Sequence, residues 1–115
     1  MDVRLKTEPF ALNGKVYNIC CNMNVLADVQ EAYGGDFRNA LNNPTSLRTS
    51  LVFLAAMLND AADTNGWPER FTAKDLGRML PVSASSIQKI TDVVRLLVTS
   101  SFYSESLEEA AEEKN

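Results

Sequence analysis

The sequence predicts an α+β fold, mostly α, in which an N-terminal β-hairpin packs on a small bundle of four to five helices. Three observations carry this. Asn13-Gly14 interrupts a stretch of β-branched and aromatic residues, where a tight turn needs positive φ values. From Leu47 onward, apolar residues recur every three or four positions, which is the helical period. Capping residues and Gly or Pro stops punctuate the segments between. A chain of 115 residues is one domain, long enough to bury a core.

The hairpin spans residues 3–21, with Val16-Tyr17-Asn18-Ile19-Cys20 as its clearer strand. Pro9 cannot donate to a ladder and marks the first strand as an edge. A lone hairpin is marginal in water, so it must lie on the helical body. Asn22 or Asn24 caps the first helix, whose apolar face is Val25, Leu26 and Val29, and Gly34 suits the left-handed stop. Asp36 to Leu41 reads as a further turn with Phe37 and Leu41 inward, ended by Asn42-Asn43-Pro44. The second main helix, Ser46 to Asp63, carries the stripe Leu47, Leu51, Leu54, Leu58 and Ala61. Val52, Phe53 and Met57 fall off that stripe. A helix apolar on nearly all sides is central in its domain or shared with another chain, so these three are the candidate partner-binding residues.

Trp67 in the Asn65-Gly66-Trp67-Pro68 turn is expected to cap the core. Thr72-Ala73-Lys74-Asp75 has the form of a capping box and opens a short helix that Pro81 ends. A last helix runs from Ser83 to about Phe102, with Ile87, Ile90, Val94, Leu97 and Val98 on one face. The globular domain is thus 1–103. Residues 104–115 read as an acidic, frayed tail, helix-favouring but with almost nothing to bury.

The formal net charge is −4, and its location says more than its size. Acidic and basic residues balance through Tyr103, and Glu105, Glu108, Glu109, Glu112 and Glu113 supply the excess. A neutral body offers no electrostatic footprint for nucleic acid or anionic lipid. The longest apolar run, Leu51 to Leu58, is too short for a membrane span, and the N-terminus has no signal-peptide pattern. A cytosolic protein is expected. Cys20 and Cys21 are adjacent, which disfavours a bond between them, and read as reduced small hydrophobes.

Catalytic chemistry finds no purchase. There is no histidine, no serine with a base at useful spacing and no Gly-rich phosphate loop. Asp60 and Asp63 share a helix end but read as solvated. The sequence therefore predicts a non-enzyme with no cofactor, metal or small-molecule substrate. Residues 72–98 have a helix-turn-helix-like layout and raise DNA binding as an alternative. Against it, Pro81 sits where the turn favours glycine, and Ser83, Ser85, Ser86, Gln88 and Lys89 bring no arginine to a base edge. A structural head-tail adaptor of a virion is a further alternative.

The hairpin followed by Asn22-Met23-Asn24-Val25-Leu26 and by Gln30-Glu31-Ala32-Tyr33-Gly34-Gly35 resembles the tail assembly chaperones of long-tailed bacteriophages and prophages. The apolar helix around Leu51-Val52-Phe53-Leu54, then Phe71-Thr72 with its short helix, continue the likeness, which covers Val16 to Val98. The resemblance implies binding to the phage tape-measure protein, which is kept soluble until tail-tube subunits polymerise around it. It implies a role in the host cytoplasm and absence from the mature virion. A longer form made by ribosomal frameshifting is also implied, with the tail-tube protein and self-association as further contacts. Val52, Phe53 and Met57 would then face the client, methionine adapting to varied partners. Deleting residues 104–115 is expected to leave the melting temperature nearly unchanged in a thermal scan, because the tail buries almost nothing.

Overall fold

The N-terminal segment folds back on itself because Asn13 and Gly14 both take positive φ, 51° and 75°. In this computed structural model the described residues are 6–36, 38 and 46–113, with side chains of the last helix described through Ser101. Strands β1 (Glu8–Leu12) and β2 (Lys15–Ile19) pair antiparallel, with Phe10 opposite Tyr17 and Leu12 opposite Lys15. Alternation sends Phe10, Leu12, Tyr17 and Ile19 into the core and leaves Ala11, Val16 and Asn18 outside.

Four helices follow among the described residues. Helix α1 (Met23–Ala32) begins where the Asn22 side chain accepts from the Val25 amide at 3.0 Å. It ends where Gly34 and Gly35, both at positive φ, return their amides to Glu31 and Gln30. Helix α2 (Leu47–Asn65) is capped by Ser46 and stopped by left-handed Gly66. Helix α3 (Ala73–Met79) has the full capping box, Thr72 and Asp75 each bonding the other's backbone amide at 3.1 and 2.9 Å. Helix α4 spans Ala84–Glu113. The α+β, mostly α architecture read from the sequence is the one observed. Phe37 and Leu41 lie outside the described residues.

Two expectations are corrected. The last helix does not stop near Phe102: its backbone continues to Glu113. Residues 104–113 hold no Gly or Pro to end it, and Ala, Glu and Leu are good helix formers. More consequential, Phe53 and Met57 are not surface residues. They are 2% and 0% exposed, in one core with Leu54, Leu58, Ile19 and Val29. The reason is that α2 is enclosed by its own chain: β2, α1, α3 and α4 all pack on it. Ala55, Ala56, Ala61 and Ala62 are buried along it, and such small side chains let neighbouring elements come close. Val52 is half-buried and keeps access to solvent.

The stripe at the other end of α2 is also less complete than its periodicity suggests. Leu47 is 42% exposed, and Ile87 at the start of α4 is 39% exposed. Asp in place of Phe53 or Met57 would put an unpaired charge into the core, at a cost of several kcal/mol against a total stability of about 5–15 kcal/mol. Both variants are expected to lose cooperative urea unfolding, whereas Val52→Asp retains it. Folded, client-deficient Phe53→Asp and Met57→Asp proteins would restore the surface reading.

Candidate functional site

One polar node fixes the hairpin to the helical body. Tyr17, buried on β2, donates its phenol to Glu69 at 2.9 Å. Lys15, two residues earlier on the same face, reaches the same carboxylate oxygen at 2.5 Å. The Lys15 ammonium also lies 4.7 Å from the Trp67 ring centre. Trp67 and Phe71 meet Tyr17 edge to face, with centroids 5.2 and 6.1 Å away. The loop that presents these groups is held from behind. The Asn59 side chain on α2 accepts from the Phe71 amide at 2.8 Å and donates to the Phe71 carbonyl at 2.9 Å. A single side chain thus satisfies both backbone groups of one loop residue.

The charges shift accordingly. The bond from Lys15, with help from the residue's own backbone amide and from Tyr17, draws the Glu69 carboxyl down from 4.5 to about 2. Burial, reinforced by the Glu69 carboxylate, pushes the Tyr17 phenol up from 10.0 to about 12. Every member of this node has a partner, so it reads as an anchor that positions the surfaces on either side.

Two such surfaces are formed. The first is a groove between α1, α2 and residues 71–73, a cavity of about 540 Å³. Val52, Ala55, Ala56 and Phe71 form its apolar lining, and Asp28 and Glu31 stand on the α1 wall. The second is an apolar end where the start of α2, the end of α3 and the start of α4 converge. There Leu51, Leu76 and Ile90 are buried beneath a rim of Leu47, Val82 and Ile87, with Val82 95% exposed. Met79, 38% exposed, lies on the same turn of α3.

Of the three candidate partner-binding residues, only Val52 reaches one of these surfaces. Phe53 and Met57 are buried in the core. The apolar end was missed because Leu47 and Ile87 continue core stripes whose outer ends the fold leaves uncovered. Val82, lying between Pro81 and the start of α4, did carry a readable signal: an apolar residue outside any stripe.

The remaining chemistry-bearing residues are engaged locally or shielded. Burial raises the Cys21 thiol to about 11, and that of half-buried Cys20 also rises, so both stay protonated at neutral pH. Asp60 accepts from Asn22 at 2.7 Å, and Asp63 pairs with Arg70. Among the described residues, no three of His, Cys, Asp and Glu are placed to hold a metal ion. No described helix is long and apolar enough to cross a membrane. In the helix-turn-helix-like segment, Ser83 accepts from the Ser86 amide at 3.1 Å and Gln88 donates to Asp92 at 2.8 Å. Both side chains are thus engaged within α4 and its cap. No protein-family model, curated protein or solved structure matches this chain.

The Glu69 node makes stability depend on pH at both extremes. Glu69 is more acidic when folded, so its contribution is complete above about pH 4.5 and is lost as pH falls toward 2. Tyr17 is less acidic when folded, so its contribution is complete below pH 10 and fades as pH rises toward 12. Urea midpoints measured across pH are expected to fall in both windows. Glu69→Gln should flatten the acid limb and Tyr17→Phe the alkaline one; unchanged limbs would remove the node from the account.

Proposed function

We propose that this chain is a tail assembly chaperone of the long-tailed phage type, acting by binding alone and without catalysis. Its client is the tape-measure protein, held soluble in the bacterial cytoplasm until tail-tube subunits assemble around it. The order of segments supports this reading: a short hairpin, an Asn-capped helix with a Tyr-Gly-Gly stop, an apolar central helix, and a Phe-Thr entry to a short helix.

The observation that carries the reading furthest is the apolar end. A chaperone for a helical, aggregation-prone chain needs exposed apolar surface on a stable support. Leu47, Val82 and Ile87 provide it above buried Leu51, Leu76 and Ile90. An amphipathic client helix laid across that end would bury its own apolar face without disturbing α2.

Co-expression with the tape-measure protein tests this. The wild-type chain is expected to move the client from pellet to supernatant. Leu47→Asp combined with Val82→Asp should reduce client binding about tenfold or more while the urea unfolding curve stays cooperative. A client that stays insoluble with the wild-type chain would defeat the proposal. So would the presence of this chain in purified virions, which would favour a structural adaptor. Tight, salt-sensitive DNA binding would favour a regulator instead.

A further inference from the structure

The groove between α1 and α2 is a second interaction surface, separate from the apolar end and independent of what the client is. The geometry points to it as a docking site for an amphipathic helix of a partner protein that carries a basic pair, Lys or Arg, one turn apart beside a small apolar face.

The shape comes first. Ala55 and Ala56 form part of the floor, and with side chains this small the backbone of a docked element can come close. Val52 and Phe71 flank them as larger apolar contacts. The polar groups in the lining then decide what kind of element fits. Asn59 spends its amide on both backbone groups of Phe71, and the Thr72 hydroxyl accepts from the Asp75 amide. An extended peptide laid here would bury amides and carbonyls with few groups left to bond them. A helix brings its own hydrogen bonds and needs only an apolar face.

Charge defines the partner further. Asp28 and Glu31 are three residues apart on α1, so they project from one face as a pair. No lysine or arginine lines the groove. Neither carboxylate has an ion-pair partner among the described residues, unlike Asp63, which pairs with Arg70. Burial and the neighbouring charges of Glu31, Asp60 and Asp63 raise the Asp28 pKa, as expected in an unneutralised negative field. Two cations spaced one helical turn apart would neutralise that field while the apolar face of their helix covers Val52 and Ala55. An acidic or neutral helix of the same shape would leave the field unanswered.

The test uses the full chain, isotopically labelled, titrated with two synthetic helical peptides. Both have a Leu/Ala face; one places lysines three residues apart at its edge, and the other has glutamates in the same places. The lysine peptide is expected to shift the amides of Val52, Ala55, Ala56 and Phe71. Its affinity should fall about tenfold in the Asp28→Asn/Glu31→Gln double variant, and should also weaken as salt is raised. Both replaced residues are exposed, so the variant keeps the fold, which its unfolding curve verifies. The inference is overturned if neither peptide binds, if both bind equally, if the shifts map to Leu47 and Val82, or if the double variant binds like the wild type. Shifts at Leu47 and Val82 would move helix binding to the apolar end, and the remaining outcomes leave client solubilisation there untouched, so failure here does not defeat the proposed function.

Discussion

Enclosure of α2 is the constraint that the rest of the structure serves, because nearly every face of this helix is apolar and most of its middle must be kept from water. A fully buried aliphatic or aromatic side chain contributes about 1.5–3 kcal/mol relative to exposure, and α2 places Phe53, Leu54, Met57 and Leu58 in that state. A chain of this size has little else with which to cover them. The hairpin takes one side, α1 another, and α3 and α4 close the remainder. Alanines at Ala55, Ala56, Ala61 and Ala62 thin the helix enough for four neighbours to fit. One buried polar group escapes this economy: the Ser50 hydroxyl has no hydrogen-bond partner among the described residues.

The anchoring node follows from that constraint. A two-stranded hairpin cannot hold itself in place, and its apolar face is only a few side chains wide. Glu69 supplies what hydrophobic contact alone does not, a direction, by binding Lys15 and Tyr17 together from the 66–72 loop. The loop in turn borrows its shape from Asn59 on α2. Lys89 of α4 lies over Phe10 on the other strand, 5.7 Å from its ring centre, so the hairpin is gripped by a loop and by the last helix. Both proposed binding surfaces lie at the margins of this arrangement, where the covering elements run out.

Local signals in the sequence translated into structure where they depended on nearby residues. The Asn13-Gly14 turn, the Asn22 cap, the Thr72–Asp75 box and the Gly34 stop all formed, because each is decided within a few positions of chain. What could not be read was how completely distant elements would cover α2. Phe53 and Met57 lay off the main stripe, and periodicity along one helix cannot report how many neighbours surround it. The same blindness worked in the opposite direction at Leu47 and Ile87, which continue apolar stripes past the point where anything packs on them. The Glu69 node was equally hidden, since its members lie some fifty residues apart and none is unusual alone.

The Ser101 hydroxyl donates to the carbonyl of Cys21, joining the hairpin's exit to the far part of α4 across 80 residues of sequence. Together with Lys89 over Phe10, this has a consequence for biosynthesis. The hairpin leaves the ribosome before α2, on which β2 packs, and the groups that orient it arrive later still, with residues 67–71, 89 and 101. Closing such distant contacts is entropically slow, and an isolated hairpin is barely stable while it waits. The hairpin is therefore synthesised well before the contacts that orient it can form, and until α2 follows it its apolar face stays open to whatever else the cell offers.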